Sequence, residues 1–438
     1  MESKYQSLIE TRSKNIMVDL MAFFCIVCRL GFPGNLGKMV SESLTQMIDY
    51  ASTFLQIILI FLASSDTVLE IKLIDLKKKY VAIYAMIASM FLISLLGTRD
   101  ISDMLTTFFR FTLTALFGIW LADYYDVERL FDLLFAGFLV FTGANLLMLI
   151  VFRGQGYYFD EEGRYLFRGI CERKNAVGEE LAHGLAIQAA MFRIRKDGRK
   201  AVPRLLLPAT LAQLFMLIAT KATGALFTTA IPIAYFLAFG KESEKGKRVH
   251  WGIVYAIVSI GFLFIAMTIL PIFAPFLESI GKDATISNRT LIWEGVIKFM
   301  QTSHTFVGYG LLMFWNDKTA FRALQLQYNR NSWFRTMSFG SHNVMLEMWL
   351  DIGLLGIAIY LVTMVYCFNH PKRMNKGEYL LISAFMIPLI IRGLTERCYS
   401  NANYTTLFLF MTMALGCNWH GRFSDLKRQK LKSDTRPW

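Results

Sequence analysis

The chain has 438 residues, of which 55% are hydrophobic and only 18% charged, with 37 Phe, 22 Met and a formal net charge of +13. A soluble globular domain carries about 25% charged residues. The deficit, together with a mean hydropathy of +0.41, argues against a soluble enzyme and for lipid as solvent. The surplus charge does not point to nucleic acid, because no basic soluble domain carries it and in a membrane protein the position of charges matters more than their sum.

A helix needs about 17–25 apolar residues to cross ~30 Å of hydrocarbon. Such runs predict spans near 16–33, 45–64, 80–97, 104–122, 129–152, 176–193, 204–220, 222–240, 251–275, 352–369, 379–393 and 403–418. The first fifteen residues are polar and no small-residue cleavage site follows Ile16 to Phe32, so this run reads as a retained first span. The run at 176–193 is the weakest, because Glu179, Glu180 and His183 fall in its first turns, and the one at 379–393 is short. The expected architecture is an all-α, polytopic transmembrane bundle of about 12 spans, one integral membrane domain over residues 1–438 without internal repeats. Six cysteines are scattered. Cys25 and Cys28 have C-x-x-C spacing but lie in an apolar span without a partner pair, so they read as small packing thiols. Cys171 and Cys398 both fall on the expected outer side, where a bridge between them is open.

Orientation follows from Lys and Arg in the short loops. Lys77 to Lys79, Arg193 to Lys196, Lys241 to Arg248, Lys372 with Arg373, and the tail Lys427 to Lys430 all fall on one side under this count. That side, with both termini, is expected to be cytoplasmic. The loops 153–174 and 276–343 then lie outside. The outer side is nonetheless not poor in cations: Arg29, Arg153, Arg164, Arg168, Arg173, Lys221, Arg289, Arg392 and Arg397 map there. Arg110 lies inside the fourth span, where a central Arg costs ~2.5–3.5 kcal/mol on insertion scales, so it should snorkel outward or face a polar cavity. Long loops and snorkelling account for many of these residues singly. As a set they suit a basic cavity for a polyanionic head group, since Arg grips phosphate through a planar fork.

The long loop 276–343 carries the most chemistry. Thr290, Glu294 and Lys298 form a polar stripe at helical spacing, with Leu291, Ile292, Trp293, Val296, Ile297 and Met300 around it. Ser287 or Asn288 would cap this short amphipathic helix and put Arg289 in its first turn, beside free backbone N–H groups that favour phosphate. The competing reading is an interfacial helix with Trp293 as lipid anchor. His342 precedes a second helical run beginning at Val344, with Asn343 as cap. It could take a proton from an attacking hydroxyl or give one to a phosphate oxygen.

Three segments resemble the O-antigen ligase and polymerase superfamily, membrane glycosyltransferases that act on undecaprenyl-diphosphate-linked glycans. Ser341-His342-Asn343-Val344-Met345-Leu346-Glu347 with Gly353-Leu354-Leu355-Gly356 resembles its H-N-x-x-L…G-L-x-G signature. Asn288-Arg289 and Trp293, followed by His304 and Gly308-Tyr309-Gly310, resembles R-x-x-x-W…G-x-G. Arg168-Gly169 with Asn175-Ala176-Val177-Gly178 resembles R-x-G…N-x-x-G. Weaker echoes are Thr220-Lys221 and Gly393-Leu394-Thr395-Glu396. Lys174 and Thr305 depart from the pattern, standing where Pro is usual. Nothing before about residue 150 resembles a family motif.

The resemblance implies a GT-C-like bundle and a metal-independent transferase without cofactor, working at the outer face of the bacterial cytoplasmic membrane. It carries catalytic roles over to Arg168, Arg289 and His342, the arginines holding the donor diphosphate and His342 acting as base or orienting the leaving group. Asn343, Asn175, Lys221, Arg392 and Glu396 are expected to bind substrate. The partners are the lipid-linked oligosaccharide as donor and acceptor, membrane lipid and a chain-length regulator. A repeat-unit polymerase for O-antigen, capsule or exopolysaccharide is preferred to a ligase acting on lipid A core. A flippase is the rival from another class, weakened by the absence of the repeated halves common in transporters. The orientation predicts that a periplasm-dependent phosphatase fused within residues 303–316 is active, and that the same fusion near residue 245 is silent.

Overall fold

Every one of the twelve apolar runs folds as a helix in the computed structural model. The structure describes residues 16–32, 41–68, 79–159, 163–171, 173–198, 200–238, 248–269, 272, 289–327, 340–369, 371, 374–396 and 403–417. The spans are α1 (Ile16–Arg29), α2 (Glu42–Val68), α3 (Val81–Gly97), α4 (Ile101–Tyr124) and α5 (Val127–Ile150). After the one-turn α6 (Arg153–Gly156) come α7 (Lys174–Asp197), α8 (Leu206–Thr220), α9 (Thr223–Ala238) and α10 (Trp251–Thr268). The long loop contributes α11 (Arg289–Thr302) and α12 (Lys318–Gln327), and the chain closes with α13 (Val344–Phe368), α14 (Lys376–Gly393) and α15 (Tyr404–Cys417). Local chemistry sets several starts. Asp100 accepts from Asp103 N–H and Asp126 from Arg129 N–H, and Asn375 with Glu378 closes a capping box.

Among the described residues, α2, α4, α5, α10, α13 and α14 are long and apolar enough to cross a membrane, while α3, α8, α9 and α15 are shorter apolar helices. The other two expected spans fit neither group: α1 has 14 residues and carries Asp19 and Arg29, and α7 has 24 residues but holds Glu179, Glu180 and His183. Exposed apolar side chains recur at helical spacing, as in Leu207, Leu211, Phe215 and Ile218 of α8 or Ile253, Ile257, Ile260 and Phe264 of α10. Those faces are suited to lipid. The protein is a polytopic helical membrane protein.

α14 and α15 form the centre. Phe385 of α14 and Phe408 of α15 lie 4.4 Å apart, and α4 approaches α15 so closely that a Cβ on Gly118 would stand 2.5 Å from the Leu407 carbonyl oxygen. Small residues at such crossings let helix backbones meet. Cys25 is fully buried on α1, its thiol 3.6 Å from the Ser52 carbonyl of α2, as a packing residue should be. Cys171 is half-buried, and Cys398 lies outside the described residues.

Charged side chains sort to the two ends. At one end Lys79 pairs with Asp123 (3.4 Å), Arg195 with Asp132 (2.7 Å), Lys200 with Glu128 (2.6 Å) and Lys376 with Asp197 (2.7 Å). Arg129 also pairs with Asp19, and Arg248 donates to the carbonyls of Pro371 (2.8 Å) and Met374 (2.5 Å). The basic stretches 76–78, 241–247, 372–373 and 427–430 lie outside the described residues. The long-loop helices sit at the opposite end. There Arg29 and Arg110 share Asp49, at 3.6 and 3.7 Å, which gives the intramembrane Arg110 a countercharge.

Two features differ from a plain loop reading. The expected outer loop after α5 contains a sheet: β1 (Tyr157–Phe159) and β2 (Tyr165–Phe167) form an antiparallel hairpin with Tyr157 opposite Phe167 and Phe159 opposite Tyr165. Aromatic residues favour this geometry, and the Tyr157 and Tyr165 rings stack at 4.5 Å. The second is a break in α13 at Gly353 (φ 65, ψ −174). A strap over residues 305–310 fills it: Leu354 N–H donates to Thr305 O (3.1 Å), Leu355 N–H to Phe306 O (3.2 Å), Tyr309 N–H to Leu350 O (2.8 Å) and Gly310 N–H to Asp351 O (2.8 Å).

A Cβ on Gly353 would stand 2.2 Å from the Phe306 carbonyl carbon, and one on Gly308 2.5 Å from the Asp351 carbonyl carbon. Both G-x-G and G-L-x-G therefore mark one backbone-to-backbone junction. Gly353→Ala should cost about 3 kcal/mol, from the left-handed φ and the collision together. Gly143→Ala, with nothing within 4 Å of its added methyl, should be neutral or slightly stabilising. Thermal melting of the two variants in nanodiscs checks this.

Candidate functional site

Four segments converge at the end of the bundle that carries the long loop: the first turns of α7, the first residue of α11, the turn before α13, and the segment after α14. His342 stands in that turn in a left-handed conformation (φ 50), which a non-glycine residue adopts only when its surroundings impose it. Here they do so from both sides. Ser341 N–H donates to Glu347 Oε1 (2.9 Å), Ser341 O accepts from the Trp293 indole (2.7 Å), and Glu347 Oε2 accepts from the Trp315 indole (2.7 Å). On the other side Asn343 Oδ1 caps α13 by accepting from Met345 and Leu346 N–H, while its Nδ2 donates to Leu394 O (3.2 Å).

The result is that His342 Nδ1 lies 3.0 Å from Glu396 Oε2. The other carboxylate oxygen, Oε1, accepts from Arg289 Nη2 (2.7 Å) and from Asn175 Nδ2 (3.3 Å). Burial pushes the Glu396 carboxyl up, but the His342 hydrogen bond and the charges of His342, Arg289 and Arg392 outweigh it and hold the group below its ordinary range. An ionised carboxylate only accepts, so His342 Nδ1 carries a proton and Nε2 is left for a substrate. Arg392 forms an ion pair with Glu179 (Nη2 to Oε2, 2.7 Å) and donates through Nη1 to the Tyr404 hydroxyl (2.8 Å).

Of the residues singled out in the sequence, Arg289, His342 and Asn175 thus meet on Glu396, Asn343 is tied to the Leu394 carbonyl, and Arg392 lies one turn before Glu396 on Glu179 and Tyr404. Arg168 is placed differently. It closes the hairpin, with Nε donating to Gln155 O (2.9 Å) and its guanidinium 5.8 Å from the Tyr158 ring, and it does not bond to Glu396. Three residues on, the Cys171 thiol reaches Glu180 Oε1 at 3.9 Å, which ties the hairpin to α7. Lys221 caps α8 in a left-handed conformation (φ 52) and is exposed; flanking residues Thr220 and Ala222 pack against Gly178 in the first turns of α7.

The structure corrects one alternative and refines another. Trp293 is no lipid anchor: it is fully buried, edge-on to Phe262 at 6.0 Å, with its indole nitrogen spent on Ser341. The His304 ring lies tilted against Tyr309 at 4.2 Å beside the strap, so it belongs to the junction. Burial, then Arg99, lowers its pKa. The expected caps Ser287 and Asn288, and the outer Arg397, lie outside the described residues. Sequence reasoning did not single out Glu179, Tyr404 or Glu347. Glu179 did leave a signal, a carboxylate inside an apolar run. In the sequence it weakens the span, and an ionisable residue at such a position is a functional pointer in its own right. Among the described residues no group of three or more His, Cys, Asp or Glu could hold a metal ion.

Residues 208–361 match the O-antigen ligase family. This stretch runs from α8 into the second half of α13 and contains Lys221, Arg289, His342 and the glycine junction. It leaves out Arg168, Asn175, Arg392 and Glu396. No curated protein and no solved structure matches the chain. The family match supports the superfamily resemblance carried by the loop motifs and indicates membrane glycosyltransferase activity of the O-antigen ligase or polymerase type, acting on lipid-linked glycans.

Because the Glu396 carboxyl is held low, its stabilising contribution is fully present above the ordinary carboxylate value of 4.5 and is lost as pH falls through the lower folded value. Glu396→Gln should cost about 3 kcal/mol at neutral pH, since it leaves Arg289 partly buried without its countercharge. The melting temperatures of wild type and Glu396→Gln should converge as the pH drops below that value.

Proposed function

We propose that this protein polymerises undecaprenyl-diphosphate-linked oligosaccharide repeat units at the outer face of the bacterial cytoplasmic membrane, for O-antigen, capsule or exopolysaccharide. The observation that supports it most is the His342–Glu396–Arg289 constellation, a histidine oriented by a carboxylate and flanked by a guanidinium. In this reading the acceptor hydroxyl oxygen attacks the donor's anomeric carbon. The bond from that carbon to the diphosphate oxygen breaks, and its electron pair leaves with the diphosphate. The hydroxyl proton passes to His342 Nε2, and Glu396 stabilises the imidazolium that forms.

Arg289 has five N–H donors and engages Glu396 through Nη2. Its other donors, with Arg168 and Lys221, would neutralise the diphosphate as charge develops on it. In this role the protein's own cations replace a metal, and no cofactor is needed. Asn175 and Asn343 fix the carboxylate and the histidine turn, and a chain-length regulator would act as partner. The extracytoplasmic placement rests on Lys79, Arg195, Lys200, Arg248 and Lys376 gathering at the opposite end, which the charge bias of the sequence assigns, with both termini, to the cytoplasm.

The second reading is a ligase that transfers the finished glycan to lipid A core, and the description of the matched family favours it. The two share the donor site and differ in the acceptor. Purified protein given lipid-linked repeat units alone should build a ladder of longer lipid-linked chains; strict dependence on lipid A core would make it a ligase. His342→Ala should lower the rate by about 10²–10⁴-fold, and Arg289→Ala should act in the same direction. Flipping of repeat units should be untouched in both variants, whereas loss of flipping would indicate a carrier.

A further inference from the structure

α7 and α14 face each other through two polar rungs. Asn175 and Glu179 stand one turn apart on α7, and Arg392 and Glu396 one turn apart at the end of α14, where Glu396 N–H donates to Arg392 O (2.8 Å). Asn175 meets Glu396 at 3.3 Å, and Arg392 meets Glu179 at 2.7 Å. The second rung is the more enclosed, with the Arg392 and Glu179 side chains 12% and 9% exposed.

α15 closes that rung from behind. The Tyr404 hydroxyl accepts from Arg392, whose guanidinium is 5.8 Å from the Tyr404 ring. The Glu179 carbonyl holds His183 Nδ1 at 2.9 Å, and the His183 ring stands edge-on to Tyr404 at 5.4 Å. A buried guanidinium cannot be left uncompensated without large cost. If Glu179 lost its charge, the carboxylate one turn away on the chain of Arg392 would be Glu396.

From this geometry we infer that Glu179 is a positioning residue, which keeps Arg392 occupied so that Glu396 stays committed to His342 and Arg289. The inference rests on the reading of His342 as base. The charged groups around that pair are Arg289 of α11, Arg392 of α14, and Glu179 and Glu180 of α7, with Glu347 of α13 holding the backbone of the histidine turn. Glu180 directs Oε1 toward Cys171 and lies beside Gly31, and its carboxyl is also within electrostatic reach of Arg392.

The test uses full-length protein in nanodiscs with Glu179→Gln, Glu179→Asp and Tyr404→Phe. In Glu179→Gln, kcat on lipid-linked repeat units should fall about tenfold with KM little changed. The acidic limb of its pH–rate profile should move about one pH unit lower, because an Arg392 turned toward Glu396 weakens the support of the imidazolium. Glu179→Asp should restore most of the loss, and Tyr404→Phe should shift the limb in the same direction by less. The hydrogen-bonded Nδ1–H resonance of His342, assigned by its absence in His342→Gln, should weaken in Glu179→Gln; this readout needs no turnover. A variant with lower melting temperature but an unmoved pH profile and resonance would make Glu179 a brace only and overturn the inference. A wild type that binds and turns over no lipid-linked glycan, while the resonance responds as expected, would instead overturn the functional reading. Should Glu179→Gln fail to fold, an unmoved limb and resonance in Tyr404→Phe would overturn the inference as well.

Discussion

A single carboxylate organises the site end of this protein. Glu396 receives a histidine on one oxygen and an arginine and an asparagine on the other. These partners come from the turn before α13, the start of α11 and the start of α7, so one side chain fixes three elements that are distant in sequence. The arrangement is electrostatically sound because burial alone would disfavour the ionised acid, and the adjacent positive groups reverse that. Without this anion, the Arg289 guanidinium would stand partly buried with no countercharge beside His342.

Much of the architecture was legible in the sequence because lipid imposes a simple rule. A backbone in hydrocarbon must bond to itself, so every apolar run of sufficient length becomes a helix. The twelve runs did so, including 176–193 in spite of its charges. The hairpin of β1 and β2 was not legible, since its alternating aromatics are too few to distinguish a strand from an interfacial loop, and its register appears only in the backbone pairing of Tyr157 with Phe167.

The site was legible in part. Arg289 and His342 stood out through their motifs, and Asn343 through the capping position it fills at the start of α13. Two things were hidden. The glycines of G-x-G and G-L-x-G carried no indication that they meet each other; their contact is between backbones 45 residues apart in Gly308 and Gly353 and has no side-chain signature. The engagement of Arg392 by Glu179 was hidden for a different reason. A carboxylate in an apolar helix looks like a defect until the cation it serves is seen on a neighbouring helix.

The strap laid into the break of α13 has a mechanical consequence. It links the end of α11 to the middle of a membrane helix by four main-chain hydrogen bonds, so the piece of loop that carries Arg289 is not an independent flap. Any tilt of α13, as when the surrounding bilayer thins or thickens, is carried by a stiff lever to the guanidinium and to the histidine turn alike. The two groups would then move together with their spacing kept, a protection that requires neither an effector nor a moving lid.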